Sequence, residues 1–466
     1  VHGWSIENEK LLSDIVAYTT ARLRMDPPSL DHPDTEASLA KKTGQTITPG
    51  GLGSDEALRV FAEILAPATI STDHPRNLAF IPSAPTEAAI MFDLVVGASS
   101  IYAGSWLEGA GVIHAENQVI AWFSKLLGYP ETSRGVFVPG GTQGNLAALV
   151  AARHKARAKR KAAGLPEPKR WVILTSAESH SSMAQAAEVM DVDIYTAPVS
   201  SDDPNWSSDF SDGDGRLTGR GLAKVIDALP EGAVPFAIVA SAGTTNYGVI
   251  DDFVSLADLA QAKGLWLHVD GAYGGAALVA PKYQGLFEGI ERSDSMIVDP
   301  HKWLFSPFDA CMLIYKDAST ARAAHTQSAG YLDIVNEDQS FNPSDYAIHL
   351  SRRARGLPIW FSLAVHGTDA YAQAMEETMA IARYAAEQVE KIDYLELVRE
   401  PMLSVVVIRR KGWTAQQYRE WSNKLLMQGT AFVTPTTNYG ETVTRLAIVN
   451  PKTTRADIDL ILGSMA

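Results

Sequence analysis

Leu265, Trp266, Leu267, His268, Val269, Asp270, Gly271, Ala272, Tyr273, Gly274 and Gly275 form an apolar run that meets an acid and then breaks into glycine. The run is too short for a helix and reads as a buried strand, and the glycines after it read as a turn. Ser295, Met296, Ile297, Val298, Asp299, Pro300, His301, Lys302 and Trp303 repeat the design: short apolar run, acid, breaker. Working outward, residues 136–138, 171–174, 236–240 and 311–315 are further short apolar runs. Between them, residues 146–161 and 254–263 have helical composition and residues 222–229 helical spacing. Short buried strands alternating with helices predict an α/β fold built on one large, mostly parallel, doubly wound sheet.

The flanks differ from this core. Leu11, Leu12, Ile15 and Val16 suggest one apolar helical face, and Pro27, Pro28, Pro33 and the breakers of residues 43–53 follow. Residues 1–80 therefore read as a helical arm that packs on something larger, a second subunit included. Residues 81–365 form the large domain. Residues 366–466 read as a small α+β domain, with a long helix over 370–392, strands near 403–408 and 445–449, a helix over 415–427 between them, and a last helix capped by Thr454 and Asp457.

The 466 residues give a size prior of about three domains. With 40 Lys and Arg against 54 Asp and Glu, the net charge of −14 repels nucleic acid and anionic membrane. An apolar fraction of 46 % and a charged fraction of 20 % rule out disordered and fibrous classes. Cys311 is the only cysteine, so neither an intrachain disulfide nor a Cys-ligated zinc site within one chain is possible, and a cytoplasmic location is expected. The opening residues carry Glu7, Glu9, Lys10, Asp14 and Arg22 instead of a secretory signal's apolar stretch, and no run is apolar enough for a membrane span. GxSxG, GxxxxGK[ST], HExxH and GxGxxG patterns are all missing, which removes hydrolase, P-loop and zincin readings; no metal site is expected.

Three features fall just beyond strand ends, where open α/β sheets place their sites. Pro139, Gly140, Gly141, Thr142, Gln143, Gly144 and Asn145 join a strand to a helix; small residues, a helix N-terminus and the Thr142 hydroxyl suit a phosphate, although alone they also describe a tight turn with a Thr cap. Asp270 ends a buried strand, where a carboxylate is costly unless something cationic meets it. Lys302 follows 32 residues later, about one strand, helix and strand on, so both reach the same sheet edge. A lysine in a partly apolar setting can condense with an aldehyde. Phosphate cradle, acid and lysine together are the three anchors that pyridoxal phosphate needs. His180, in a loop after a strand, could lie over a flat ring, though alone it is an ordinary loop histidine.

With Trp266, Leu267, His268, Val269, Asp270, Ala272 and Tyr273, then Pro300, His301, Lys302 and Trp303, and Gly243, Thr244 and Thr245, the chain resembles the group II pyridoxal-phosphate decarboxylases, in particular the aromatic-L-amino-acid branch. The resemblance implies the type I fold of pyridoxal-phosphate enzymes and pyridoxal 5'-phosphate as cofactor. It implies that Lys302 holds the cofactor, Asp270 pairs with its ring nitrogen, His180 and Ala272 flank its two faces, and Gly141, Thr142 and His301 lie on the phosphate side. Ser83 and Thr245 resemble further cofactor contacts. Tyr331 aligns with the family's mobile-loop tyrosine that returns a proton to the product. Asp299 stands at a cofactor-side position where the aromatic branch tends to carry Asn, and its carboxylate would repel a phosphate. Phe80, Tyr102 and Trp106 keep aromatic surface for a substrate, while Thr72 and Gly104 replace aromatic residues. The activity implied is decarboxylation of an aromatic L-amino acid to its amine and carbon dioxide, by a homodimer with shared active sites. Acidic or diamino acids as substrates, a lyase or aldehyde synthase of the same family, and a non-catalytic binding protein are the alternatives; retention of Lys302, Asp270, His180 and Tyr331 together argues against the last.

Overall fold

A computed structural model describes residues 2–328 and 340–466. Its centre is a seven-stranded sheet of β1 (Arg134–Val138), β2 (Arg170–Ser176), β3 (Asp193–Ala197), β4 (Ala233–Ser241), β5 (Trp266–Asp270), β6 (Ser295–Val298) and β7 (Cys311–Tyr315). The spatial order is β1-β7-β6-β5-β4-β2-β3, with only β7 antiparallel to its neighbours. Every residue of β5, β6 and β7 is buried. Strands covered on both faces must be apolar at successive positions, not alternate ones, which is why these runs stood out in the sequence. The register pairs His268 with Ser295 and Asp270 with Ile297.

One face of the sheet is covered by the helix Gly141–Ala162, whose Ala147, Ala148, Ala151 and Ala152 are buried against it; small side chains let the helix axis come close to the strands. The other face receives Phe253, Leu256, Ala257 and Ala260 of the helix Phe253–Lys263, and Tyr371, Met375 and Met379 of the long helix Thr368–Glu390. That long helix also backs a second, antiparallel sheet of β8 (Leu395–Leu397), β9 (Val405–Arg410), β10 (Thr434–Asn438) and β11 (Glu441–Ala447), ordered β10-β11-β9-β8. The helices Ala415–Met427 and Arg455–Gly463 pack on the same side, each opened by a capping box, Thr414 with Gln417 and Thr454 with Asp457.

The amino-terminal helix Ile6–Leu23 buries no residue; Leu12, Ile15 and Val16 stay exposed, and so do Met91, Leu94 and Val95 on the helix Glu87–Ser99. Among the described residues, no helix is long and apolar enough to cross a membrane.

The helix Trp106–Leu126 is tied to the chain beyond residue 340 by a buried ion pair. Arg352 Nη1 and Nη2 donate to Glu116 Oε2 and Oε1 at 2.7 and 2.9 Å, and the Gly356 amide adds a third hydrogen bond to Oε1. With both side chains nearly inaccessible, removing one partner strands a buried charge. Arg352→Met is expected to lower stability by about 3–5 kcal/mol in chemical denaturation, and adding Glu116→Gln should recover part of that loss.

Candidate active site

Parallel strands bring their carboxyl ends to one edge of the sheet, and five of them converge there. β1 runs through Pro139 and Gly140 into the helix Gly141–Ala162; β2 leads to His180; β4 leads to Gly243, Thr244 and Thr245; β5 ends on Asp270; and β6 ends before Asp299 and Lys302. Together they surround a cleft of about 350 Å³. Gly141, Thr142, His180, Thr245, Asp270, Ala272, Asp299, His301, Lys302 and Phe80 all line it. Ser83 does not: it is buried, and its hydroxyl donates to the Ser306 carbonyl at 3.0 Å. Tyr102 and Trp106 do not line it within one chain either. The Tyr102 hydroxyl donates to the Leu350 carbonyl, and Trp106 borders a separate surface cavity beside Phe341. Tyr331 lies outside the described residues.

Asp270 is the most constrained group in the cleft. Its Oδ2 accepts from Asn145 Nδ2 at 2.9 Å and its Oδ1 from the Ala272 amide at 3.1 Å, yet among the described residues no cation pairs with it. Asn145, in the first turn of its helix, is a hub. Its Nδ2 also donates to Ser182 Oγ, which bonds to His180 Nδ1 at 2.9 Å, and its Oδ1 faces His268 Nε2 at 2.8 Å. His268 Nδ1 lies 2.8 Å from Ser295 Oγ, which takes a hydrogen bond from Trp266 Nε1. The chain is self-consistent in one direction: Trp266 donates to Ser295, Ser295 to His268 Nδ1, His268 Nε2 to Asn145 and Asn145 to Asp270. That order requires a neutral His268 protonated on Nε2, and burial supplies it by pulling the imidazole pKa down to about 4.

Lys302 Nζ lies 3.0 Å from Asp299 Oδ2. Burial works against its charge, but Asp299 and then Asp270 outweigh it, so the ammonium is held above the usual lysine range. Burial lowers the His301 pKa, and its Nδ1 is spent on Ala310. Arg355 pairs through Nε with Asp309 Oδ1 at 2.8 Å.

These groups fit pyridoxal phosphate on the chain's own terms. No side chain caps the helix Gly141–Ala162; the Gln143 and Gly144 amides are taken by the Gly140 carbonyl, which leaves those of Gly141 and Thr142 to meet an anion, and a Cβ at Gly141 would come within 3.1 Å of Asp299 Oδ2 and Ile297 Cδ1. The buried, cation-less Asp270 asks for a positive ring atom, and the Lys302 amine faces the same cleft.

Residues 54–411 match the pyridoxal-dependent decarboxylase conserved domain. The chain belongs to the pyridoxal-dependent decarboxylase family. It is thus a pyridoxal-phosphate-dependent carboxy-lyase acting on an amino acid. Among its relatives, the aromatic-L-amino-acid decarboxylase of Bacillus atrophaeus is 29 % identical over 430 residues, which is 90 % of this chain and 86 % of that one. The L-2,4-diaminobutyrate decarboxylase of Rhizobium meliloti (strain 1021) is 30 % identical over 422 residues, 87 % of this chain and 80 % of that one. The fold matches the crystal structure of Oryza sativa TDC with PLP and tryptamine at a TM-score of 0.90 and 22 % identity, covering 100 % of this chain and 99 % of that one.

Sequence reasoning passed over two residues of this decarboxylase. Asn145 looked like one more small residue of the glycine turn; its signal was a polar amide in a helix's first turn, beside a strand. Arg445 of β11 also lines the cleft, is buried, and leaves Nη1 without a hydrogen-bond partner. Its signal was a charge inside an otherwise apolar strand end.

The neutral His268 gives a pH test. Its folded pKa of about 4 lies below the ordinary value of 6.5, so its contribution to stability is full above about pH 6.5 and is lost as pH falls toward 4. His268→Gln is expected to flatten that part of the stability–pH curve by about 3 kcal/mol, read by denaturation at pH 7.5 and pH 4.5.

Proposed function

We propose that this decarboxylase acts on an aromatic L-amino acid, releasing the arylalkylamine and carbon dioxide, as a homodimer with shared active sites. The observation that carries the aromatic reading is Phe80. This residue lines the cleft, is 64 % exposed, and packs edge-on against Phe432 at 6.0 Å. Its φ of +53° is a costly backbone for a bulky side chain, and such strain is kept where it aims a group at a ligand.

When bound, pyridoxal phosphate supplies the sink for the electron pair left on Cα as carbon dioxide departs. Asp270, fixed by Asn145 and the Ala272 amide, keeps a proton on the ring nitrogen. Lys302, whose amine faces the cleft, would hold the cofactor through its aldehyde carbon. His180, oriented through Nδ1 by Ser182, covers one ring face and Ala272 the other. The amides at Gly141 and Thr142, with His301, would hold the phosphate side, and Thr245 is a further cofactor contact. Tyr331 delivers a proton to Cα, completing the amine. Ser83, bonded to the Ser306 carbonyl, stays off the cleft lining. Tyr102 and Trp106 extend the aromatic wall across the dimer. The exposed apolar residues of the amino-terminal helix and of Glu87–Ser99 support a second copy covering them, since apolar surface of that extent is normally buried by a partner.

A second reading is favoured by Arg445. Burial pulls its pKa down to about 10, so the guanidinium stays charged, and its unpaired Nη1 would gain from an acidic substrate side chain.

The purified chain, with added pyridoxal phosphate, should convert one or more of L-tryptophan, L-tyrosine, L-phenylalanine and L-dihydroxyphenylalanine to the amine, read by mass spectrometry. Amines only from acidic or diamino acids would transfer the assignment to the second reading or to a diamino substrate, and an aldehyde would make it an aldehyde synthase. Lys302→Ala should abolish turnover and the visible absorption of bound cofactor. Sedimentation at working concentration is expected to give twice the chain mass, and a monomer would exclude the shared site.

A further inference from the structure

Asp299 sits where a phosphate-binding site should least tolerate it. Its side chain is about 1 % exposed. Oδ2 contacts Lys302 Nζ at 3.0 Å and lies 3.7 Å from His301 Nε2, while Oδ1 is buried with no hydrogen-bond partner. The same Oδ2 lies 3.1 Å from the position a Gly141 Cβ would take, so the carboxylate rests against the first turn of the helix Gly141–Ala162. That helix end carries partial positive charge and no capping side chain, and it is where a phosphate would dock.

The groups facing Asp299 are few. Lys302 and His301 come from its own turn, Asp270 from the end of β5, the Cys311 thiol from the start of β7, and Arg445 lines the same cleft from β11. Burial holds His301 neutral and the Cys311 thiol protonated. Lys302 therefore answers Asp299, the cofactor's ring cation would answer Asp270, and Arg445 is the one further cation lining the cleft among the described residues. A phosphate dianion would bring two further negative charges against a carboxylate whose Oδ1 has no hydrogen-bond partner. Like charges in a dry site raise the pKa of one of them until a proton is taken up.

We propose that Asp299 couples cofactor binding to proton uptake: the phosphorylated cofactor enters the cleft together with one proton from solvent, shared between Asp299 Oδ1 and the phosphate. This rests on the cofactor assignment and concerns association alone, with no covalent step. The uncoupled alternative is that Lys302 and the helix end together keep both anions charged.

The full chain, stripped of cofactor, is titrated with pyridoxamine 5'-phosphate, which has the phosphate and ring but no aldehyde. Calorimetry at pH 8 in two buffers of different ionisation enthalpy counts the protons taken up. The wild-type chain is expected to take up about one proton more than Asp299→Asn. Above the phosphate's second pKa of about 6, its dissociation constant should rise about tenfold per pH unit relative to that variant. Asp299→Ser, which removes the same charge, should behave as Asp299→Asn does. Equal uptake in wild type and both variants, or weaker binding in the variants at pH 8, overturns the proposal while leaving the cofactor site standing. Absence of binding by the wild-type chain at every pH overturns both.

Discussion

A carboxylate at the end of a buried central strand is the constraint around which the molecule is arranged. Asp270 has two hydrogen bonds and no cation among the described residues. An ionised acid in that position is tolerable only if its surroundings are oriented ahead of time and if something positive eventually meets it. The first requirement is met by a relay of neutral donors through Trp266, Ser295, His268 and Asn145, which crosses from β5 to β6 to the helix that starts after β1. Under the proposed function, the second is met from outside the chain, by the cofactor. The polar interior is thus polarised toward a charge that the protein does not itself contain.

The same economy shows at the other end of the cleft. Lys302 is held charged by Asp299, and a buried arginine is left one partner short. Unsatisfied buried polar atoms occur at several places among the described residues, and two of them, Asp299 Oδ1 and Arg445 Nη1, belong to residues that line this cleft, where ligand atoms could meet them. The surface offers a parallel, because several apolar residues of the amino-terminal helix and of Glu87–Ser99 stay exposed in one chain.

Much of this was legible in the sequence because burial on both faces writes long apolar runs. β5, β6 and β7 were read within a residue for that reason, and β1, β2 and β4 within a few. β3 was not, since Asp193–Ala197 is a half-exposed edge strand whose Asp, Tyr and Thr carry no apolar run. β8 is three residues long, and β10 contains Pro435, which edge position allows and which reads as a breaker. The helix after β1 begins at Gly141, earlier than its composition suggested, because the glycine turn is itself the first helical turn. The cleft's lysine, acid and cradle were visible because each follows a strand. Asn145 and Arg445 were not, since their roles exist only once β5 and the small sheet's β11 meet the same cavity. Ser83, Tyr102 and Trp106 rested on resemblance alone, and a single chain keeps them off the cleft lining.

The pairing of β5 with β6 carries a consequence for how such a site changes over time. Asp270 and the Asp299–Lys302 turn are set side by side by interstrand hydrogen bonds, with Asp270 opposite Ile297, and not by the chain that joins them. Because the separation of neighbouring strands is fixed by backbone geometry at roughly 4.8 Å, the intervening segment of short 3₁₀ turns can lengthen, shorten or change composition without moving one reactive group relative to the other. A one-residue slip, by contrast, would turn every side chain of the strand to the opposite face. The arrangement is therefore tolerant of insertion and intolerant of misregistration, which frees the periphery to diversify around an unchanging reaction centre.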